Sequence, residues 1–402
     1  MNLRRWRPKL AHLKNWLGKR QNGNDLSLEG MDNSDNFTKN KIVRVYVDGW
    51  YDLMHAGHYN SIRQAKKLGD VLVWGVNSDA EIEAVKGPTV FKSEERWYII
   101  DAWKWADEVA PDTLYSPTIE LLEELNWEFF AHGDDISLNA DGVDFASVLK
   151  KAGRFRVFKR TRGVSTTDIT SKILQINDFE QDINQDTQTN DSPKNAPHSL
   201  PDTLGPFNAN PNFLASAKRI ANFANTKEPL ESDKIVYVDG SFDVCHPGHI
   251  EQLKKAKQLG DFLIVGIHED QTVNQYLGSH FPLNTLHERV LNILACKYVD
   301  DVIIGAPFKV TERLLRDLNV SVVVKSLDVT QGSLKADALA LDPYEVPAQL
   351  EVLTQVDVEW PITVNEIIRR VQSNKEAIEK KVAKYAARQN DYESNAAYMQ
   401  EL

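Results

Sequence analysis

Residues 43–76, VRVYVDGWYDLMHAGHYNSIRQAKKLGDVLVWGV, decide the fold of this chain. A β-branched run comes first, then a stretch in which Ile62, Ala65 and Leu68 recur at helical spacing, and then a continuous apolar run. Unbroken apolar strands are typical of parallel sheets that helices cover on both faces. The stretch therefore predicts a β–α–β unit of a doubly wound α/β fold.

The same pattern returns at residues 235–267, IVYVDGSFDVCHPGHIEQLKKAKQLGDFLIVGI. At an offset of 191 residues both stretches carry an Asp-Gly pair, a further aspartate and two histidines, which are His55 and His58 in the first copy and His246 and His249 in the second. An internal repeat of this kind indicates a duplicated unit. We therefore predict two tandem domains, each built on a parallel sheet.

The remaining boundaries follow from composition. We predict a basic N-terminal segment (1–40), a first domain (41–176), a linker (177–212), a second domain (213–372) and a helical C-terminal tail (373–402). The linker is rich in Asn, Asp, Gln, Ser and Pro and cannot bury much apolar surface. The tail is charged and alanine-rich, which is typical of a solvated helix.

Composition also excludes several classes of function. The formal net charge of −11 argues against a nucleic-acid partner, because such a partner requires basic surface. Two cysteines are too few for a disulfide scaffold or a cysteine metal site. The sequence has no run of about 18 apolar residues, so we predict no membrane span.

The first 20 residues contain seven basic residues and no acidic one. They could form an amphipathic helix that contacts a membrane surface, or an organelle-targeting segment. A disordered basic arm is the alternative, and Pro8 interrupts a continuous helix. We expect a cytoplasmic protein. Peripheral contact with the endoplasmic reticulum or the outer mitochondrial membrane, and organelle targeting by residues 1–20, both stay open.

The paired histidines precede a predicted helix, whose free N–H groups and partial positive charge favour a phosphate. Two imidazoles at this point can donate hydrogen bonds to phosphoryl oxygens. A zinc pair or a simple helix cap is the alternative, but zinc requires further ligands and none are clustered nearby. The chain has neither a P-loop nor a GxGxxG fingerprint.

A second phosphate-type pattern is RTRGVSTTDI at residues 160–169, which places Arg160 shortly before Ser165, Thr166 and Thr167 at a predicted helix start. An ordinary helix cap explains it equally well on its own. Lys86, beside Gly and Pro, could reach over a triphosphate, although a solvated lysine is the simpler interpretation. Two such helix starts in one domain favour a nucleoside triphosphate and direct phosphoryl or nucleotidyl transfer.

HAGH, KWADEV and RTRGVSTTDI, in this order, resemble the signatures of the cytidylyltransferases, a family of nucleotidyltransferases with a Rossmann-like fold. The resemblance covers roughly residues 41–371 apart from the linker. The tandem arrangement looks like the members of that family that act on ethanolamine phosphate. It implies two Rossmann-like domains arranged as an internal pseudo-dimer.

The resemblance also implies roles for individual residues. His55 and His58 would hold the CTP phosphates and stabilise the transition state, and Lys86 would bridge the triphosphate and the attacking phosphate. The other implied contacts are Trp50, Tyr51, Asp79, Arg160, Ser165, Thr166 and Thr167 to CTP, and Asp48 and Tyr115 to phosphoethanolamine. The implied reaction forms CDP-ethanolamine and pyrophosphate, for phospholipid synthesis, without a covalent intermediate. Mg²⁺ would accompany CTP, with no metal ligands from protein side chains.

The second domain departs from the family signature. Leu277 stands where the first domain has Lys86, and VDVEWPITVNEI replaces the Ser-Thr pattern. His246 and His249 would then be vestigial. Both domains keep the KWADEV-type segment through which single-domain relatives pair, so we expect a monomer with an internal pseudo-twofold axis. Lys104 stands in that segment where relatives have arginine, which would weaken a phosphate contact.

Two other functions compete. Transfer to choline phosphate requires an aromatic cage around a quaternary ammonium. Tyr115 could form one wall, but Ser137, Leu138 and Ala146 stand at other cage positions, although Phe145 is adjacent. A primary ammonium fits an acceptor such as Asp48 better. A non-catalytic nucleotide-binding regulator would be favoured if both domains had lost the lysine and the Ser-Thr pattern.

Overall fold

The structure is a computed structural model that describes residues 42–113, 117–134, 146–161, 163–176, 217–224, 227–278, 280–325, 342–360 and 362–383. The predicted N-terminal segment and linker, Tyr115 and the end of the tail lie outside these ranges. No helix within the ranges combines the length and the apolar character that crossing a membrane requires.

The first domain is a five-stranded sheet in the order β3-β2-β1-β4-β5, and every strand pair is parallel. Its elements are β1 (Arg44–Gly49), α1 (Ala56–Lys66), β2 (Val71–Asn77), α2 (Asp79–Lys86), α3 (Ser93–Asp101), β3 (Glu108–Thr113), α4 (Ile119–Glu124), β4 (Phe129–Gly133), α5 (Ala146–Lys151), β5 (Phe155–Phe158) and α6 (Thr166–Leu174). The strands alternate with helices, as the apolar pattern predicts.

The second domain repeats this topology, since its parallel sheet has the order β8-β7-β6-β9-β10. Its elements are α7 (Ala217–Phe223), β6 (Ile235–Gly240), α8 (Pro247–Lys257), β7 (Phe262–His268), α9 (Asp270–Leu277), α10 (Leu286–Leu294), β8 (Asp301–Ala306), α11 (Glu312–Asp317), β9 (Val320–Val324), α12 (Glu345–Gln349), β10 (Leu353–Thr354) and α13 (Val364–Ser373). The prediction of two tandem Rossmann-like domains is confirmed.

The strand order determines where a ligand can bind. The chain runs from β1 to β2 on one side, and β4 then pairs with the other side of β1. At such a switch point the connections leave in opposite directions and open a crevice at the carboxyl ends of the strands. Asp48 and Gly49 end β1 at this crevice, and α1 begins a few residues later.

The loop after β1 is strained in the same way in both domains. Tyr51 and Leu53 have φ angles of 51° and 48°, and their counterparts Phe242 and Val244 have 50° and 41°. Non-glycine residues rarely adopt this left-handed conformation, which concentrates at functional sites. All four side chains are buried, so packing holds the loop in this shape.

The two domains contact each other along the KWADEV-type segments. Trp103 and Cys296 form an isolated antiparallel bridge. The Lys104 N–H donates to the Ala295 carbonyl (3.0 Å), and the Lys297 N–H donates to the Ala102 carbonyl (2.8 Å). One continuous apolar core includes side chains from both domains.

Two expectations need correction here. Lys104 Nζ donates to the Phe223 carbonyl at 3.1 Å, so this lysine lies in the contact with α7 rather than at a phosphate site. Burial lowers the pKa of Lys104 to about 8, and neighbouring acidic groups of the second domain oppose that shift. The tail is not simply a solvated helix, because residues 375–383 are helical and Ile378 is only 2% exposed. Apolar packing against the core explains the difference.

Candidate active site

His55 and His58 lie together at the start of α1. His55 is the N-cap residue, and its Nδ1 accepts a hydrogen bond from the Gly57 N–H at 3.1 Å. Nδ1 of His58 accepts from the His55 N–H at 3.4 Å, and the ring centroids are 4.1 Å apart. The two imidazoles therefore cap the helix reciprocally, as Ser and Glu do in a capping box.

Both imidazoles are uncharged at neutral pH. Burial, aided by the charges of His58 and Arg160, holds the pKa of His55 well below its ordinary value. Burial and Arg160 lower the pKa of His58 to about 3. Since each Nδ1 accepts a backbone N–H, the single proton of each neutral ring must be on Nε2. The pair thus offers two N–H donors at a helix N-terminus, which suits a phosphate.

The Ser-Thr loop (residues 160, 161 and 163–167) lies beside this pair. Asn60 on α1 donates through its side-chain amide to Thr161 Oγ1 at 2.9 Å. The amide of Gln64 bonds the backbone of Lys159 through both its nitrogen (2.9 Å) and its oxygen (3.2 Å). A Cβ atom on Gly57 would lie 3.1 Å from Val164 Cγ1, so glycine permits this close approach. Helix α1 therefore holds both phosphate-type patterns together.

Within this loop, the predicted residues occupy the start of α6. Ser165 is the N-cap, and its hydroxyl accepts from the Asp168 N–H at 3.1 Å. Thr166 and Thr167 form the first turn, and the Thr166 hydroxyl donates to the Asp52 carbonyl at 3.3 Å. Arg160 is close enough to both histidines for its charge to lower their pKa values. Two helix N-termini and one guanidinium thus converge on one place.

Arg96 is a residue of the candidate site that the sequence interpretation missed. Its fully buried guanidinium donates to the Trp50 carbonyl (2.6 Å), the Asn77 carbonyl (2.9 Å) and Asp79 Oδ1 (2.6 Å). It therefore fixes the predicted nucleotide contacts Trp50 and Asp79 relative to the ends of β1 and β2. Asp79 is engaged in this ion pair. Arg289 makes the equivalent contacts in the second domain, and the aligned arginines were the available signal.

Of Tyr51, Lys86 and Tyr115, the structure describes only the side chain of Tyr51. Tyr51 packs edge-on against His58 and Trp74, with ring centroids 5.9 and 4.8 Å away. Lys86 ends α2, but its side chain lies outside the described part of the structure, as does the whole of Tyr115. Gly87, which follows Lys86, has a φ of 83° that only glycine adopts without strain.

Comparison with known proteins identifies this arrangement. The family model described as Cytidylyltransferase-like matches residues 46–172 and 237–389, one region in each half of the chain. The chain belongs to the cytidylyltransferase-like family. An ethanolamine-phosphate cytidylyltransferase of Dictyostelium discoideum is 43% identical over 88% of this chain and 98% of its own length. One from Arabidopsis thaliana is 41% identical over 90% of this chain and 87% of its own.

A choline-phosphate relative matches much less of the chain. The choline-phosphate cytidylyltransferase of Saccharomyces cerevisiae is 37% identical, but over only 33% of this chain and 32% of its own length. The tandem arrangement is therefore a feature that this cytidylyltransferase-like chain shares with its ethanolamine-phosphate relatives along nearly the whole sequence.

Asp48 lies at the end of β1, at the crevice. Its Oδ2 is buried and makes no well-formed hydrogen bond to the described residues. Burial raises the pKa of Asp48 well above its ordinary value, although the Tyr46 hydroxyl lies near the carboxyl and opposes that shift. An ammonium group beside this carboxyl would lower the pKa again and supply the missing donor. This is the chemistry that the family resemblance assigns to Asp48.

The second domain of this cytidylyltransferase-like chain lacks much of that equipment. Leu277 ends α9 as Lys86 ends α2. Thr363 caps α13 as Ser165 caps α6, but Val364 follows it where the first domain has Thr166. The two histidines remain, with rings stacked 3.7 Å apart and almost fully buried.

In the second domain, the aspartate that corresponds to Asp48 accepts a hydrogen bond from another residue of the chain. Asp239, the counterpart of Asp48, is 1% exposed, and the Tyr344 hydroxyl donates to its Oδ1 at 2.6 Å. His268 approaches the other oxygen at 3.8 Å. A substrate ammonium would have to share this carboxylate with the Tyr344 hydroxyl, although Oδ2 of Asp239, like that of Asp48, makes no well-formed hydrogen bond to the described residues.

Proposed function

We propose that the first domain transfers the cytidylyl group of CTP to phosphoethanolamine, forming CDP-ethanolamine and pyrophosphate. The observation that supports this most strongly is the pair of neutral imidazoles at the N-terminus of α1, facing the Ser-Thr loop at the N-terminus of α6. Two helix N-termini with protonated Nε2 donors favour a chain of phosphates. The choice of these two substrates follows the names of the ethanolamine-phosphate cytidylyltransferases that the chain resembles.

The reaction requires positioning and charge neutralisation rather than a covalent step. A phosphate oxygen of phosphoethanolamine attacks the α-phosphorus of CTP, and the bond to the β-phosphate oxygen breaks, releasing pyrophosphate. His55 and His58 donate to the phosphoryl oxygens on which negative charge accumulates. Arg160 and the N-terminus of α6 hold the leaving phosphates. Lys86 provides a further positive charge between the two substrates.

We also assign Mg²⁺ to the CTP substrate. Within the described ranges, no three His, Cys, Asp or Glu side chains gather closely enough to hold a metal ion. The oxygen donors that Mg²⁺ prefers would come chiefly from the triphosphate and from water. When bound, the ion would neutralise charge on the β- and γ-phosphates.

Substrate choice tests this function. We expect phosphoethanolamine to exceed phosphocholine by at least about tenfold in kcat/KM, because a missing aromatic wall costs a quaternary ammonium roughly 1–2 kcal/mol. Asp48 can hydrogen-bond a primary ammonium but not a quaternary one. Pyrophosphate release with CTP measures both reactions, and glycerol 3-phosphate serves as the control acceptor without an amine. Equal turnover of the two amines would contradict the assignment.

The proposal extends to the assembly. The reciprocal backbone hydrogen bonds of Lys104 and Lys297 are those expected of a monomer whose two domains are related by a pseudo-twofold axis. In this arrangement the second domain supports the first without turning over substrate. Sedimentation at micromolar concentration measures the oligomeric state. A stable dimer of the chain would argue against the monomer.

For location, we propose a cytoplasmic enzyme that reaches the endoplasmic reticulum or outer mitochondrial membrane through residues 1–20. Deleting residues 1–38 should leave activity in solution unchanged and reduce binding to vesicles that contain anionic lipid, because the segment carries seven basic residues. Loss of activity in solution would place the segment in the catalytic fold. Unchanged vesicle binding would contradict the membrane role.

A further inference from the structure

The loop of residues 87–91 connects Lys86 at the end of α2 to α3, and the far end of the chain holds it. Arg370 Nη1 donates to the Val90 carbonyl at 3.1 Å. Lys381 Nζ donates to the Pro88 carbonyl at 3.3 Å. Both cations belong to the C-terminal arm, which comprises α13 and the helical residues 375–383. We call residues 87–91 the lysine loop.

Arg370 is rigidly oriented. Its two terminal nitrogens bond the two oxygens of Glu95, at 2.7 and 3.0 Å, and its Nε bonds Glu366 at 3.1 Å. Glu95 is only 4% exposed and also accepts the Lys92 N–H at 2.8 Å. A bidentate pair of this kind fixes direction as well as distance. The donor to the Val90 carbonyl is therefore held in one place.

The opposite side of the lysine loop is held by the strained loop after β1. The Asp52 carboxylate accepts the Val90 and Phe91 N–H groups, both at 2.9 Å. Asp52 lies three residues before His55 in the sequence. The backbone at Val90 is thus bonded on one side to the loop that leads to the histidines and on the other side to Arg370.

Lys381 contacts both the lysine loop and the loop after β1. Besides its bond to Pro88, its Nζ lies 5.8 Å from the centre of the Trp50 ring. Burial lowers the pKa of Lys381, and the nearby Asp52 carboxylate opposes that shift. The mostly buried Lys381 ammonium thus bonds Pro88 and lies near both Trp50 and Asp52. These contacts restrict movement of the lysine loop relative to the loop after β1.

An equivalent hydrogen bond runs from the first domain to the second. Lys172, on α6 of the first domain, donates to the Leu283 carbonyl at 2.7 Å. Leu283 is the counterpart of Val90, since both N–H groups bond the aspartate of the preceding loop, Asp243 in the second domain. That loop follows Leu277 and carries no lysine. The chain therefore contains a matched pair of cross-domain contacts, of which one lies behind a candidate catalytic residue.

We propose that Arg370 and Lys381 are positioning residues for the first domain's reaction, and that they act by holding the lysine loop and with it the end of α2, which carries Lys86. The inference rests on the proposed cytidylyl transfer. It gives the C-terminal arm a specific task beyond packing. Small misplacements of a charged group can slow a reaction by up to about 10²-fold without removing any contact to substrate.

The test compares Arg370→Ala and Lys381→Met with Lys172→Met. The first two should lower kcat by about 10- to 100-fold with little change in KM, because binding contacts remain and orientation is lost. Lys172→Met should leave kcat within about twofold of wild type, although it also removes a cross-domain hydrogen bond. Arg370→Lys should recover only part of the loss, because lysine cannot bond Glu95 and Val90 in the same fork. Equal kcat losses in all three variants would overturn the proposal.

Two further measurements separate positioning from general destabilisation. In a Lys86→Ala background, the Arg370 and Lys381 substitutions should have almost no additional effect on kcat, whereas additive losses would contradict action through Lys86. Hydrogen exchange at residues 84–91 should accelerate in Lys381→Met and not in Lys172→Met. Lys381→Met keeps the apolar length of the side chain and carries the test if Arg370→Ala, which leaves Glu95 buried without its partner, fails to fold.

These outcomes also distinguish the inference from the function on which it rests. If wild type releases no pyrophosphate with CTP and any acceptor, the proposed function fails, and the exchange data alone decide whether the arm holds the lysine loop. If wild type is active and the Arg370 and Lys381 variants match Lys172→Met in kcat and exchange, the positioning role fails and the proposed function stands.

Discussion

Replacing His55 with alanine is expected to lower kcat by about 10²–10³, because it removes a pre-oriented donor from the place where charge develops on the phosphoryl group. The neutral His55 ring carries its proton on Nε2, since Nδ1 accepts the Gly57 N–H. Pyrophosphate release at saturating CTP and phosphoethanolamine measures the effect. His55→Asn is the control for folding, because asparagine still caps the helix while no group remains at the position of Nε2. Both variants should lose kcat, and only the alanine variant should lose about 1 kcal/mol of capping stability.

The matched control lies in the second domain. His246→Ala removes the counterpart of His55 from a domain that has Leu277 in place of the lysine and Val364 in place of Thr166. Its kcat should stay within about twofold of wild type, and any loss should follow the melting temperature, because His246 is buried. A folded His246→Ala variant that is as slow as His55→Ala would mean that the second domain takes part in catalysis.

The fold and the helix starts at His55 and Ser165 were predictable because they depend on local patterns. A β-branched run, an apolar helical stripe and a second apolar run specify one β–α–β unit, and its repetition specifies the other. His55 and Ser165 were recognisable because each precedes a helix whose first N–H groups need partners. Convergence of those two helices at one sheet edge then follows from the parallel topology.

The contacts that hold the site together were not predictable in the same way. Arg96 is one charged residue among several on α3, and only the folded chain brings it to the ends of β1 and β2. Arg370 and Glu95 are 275 residues apart in the sequence. The charged tail was expected to be solvated, whereas Lys381 is mostly buried against Trp50. Long-range pairs of charged side chains leave no periodic signal in a sequence.

Replacing Lys86 with alanine should lower kcat at least as much as replacing His55, by about 10³, because a full positive charge is lost between two anionic substrates. Attack by one phosphate on another brings like charges together, and a cation that contacts both offsets this repulsion most in the transition state. We therefore expect the loss mainly in kcat, with a smaller rise in the KM for CTP. Lys86→Arg should recover part of the activity, because it keeps the charge but not the compact ammonium geometry.

The controls separate a specific role of Lys86 from a change in net charge. Lys67→Ala removes an exposed lysine at the end of α1 and should leave kcat unchanged, since its backbone N–H still bonds the Gln64 carbonyl. Leu277→Lys restores a lysine at the equivalent place in the second domain. It should not rescue Lys86→Ala, because that domain also lacks Thr166 and Arg160, and the Tyr344 hydroxyl already donates to its aspartate. Rescue by Leu277→Lys would show that the second domain needs only the lysine to work, and the assignment of catalysis to the first domain alone would then be wrong.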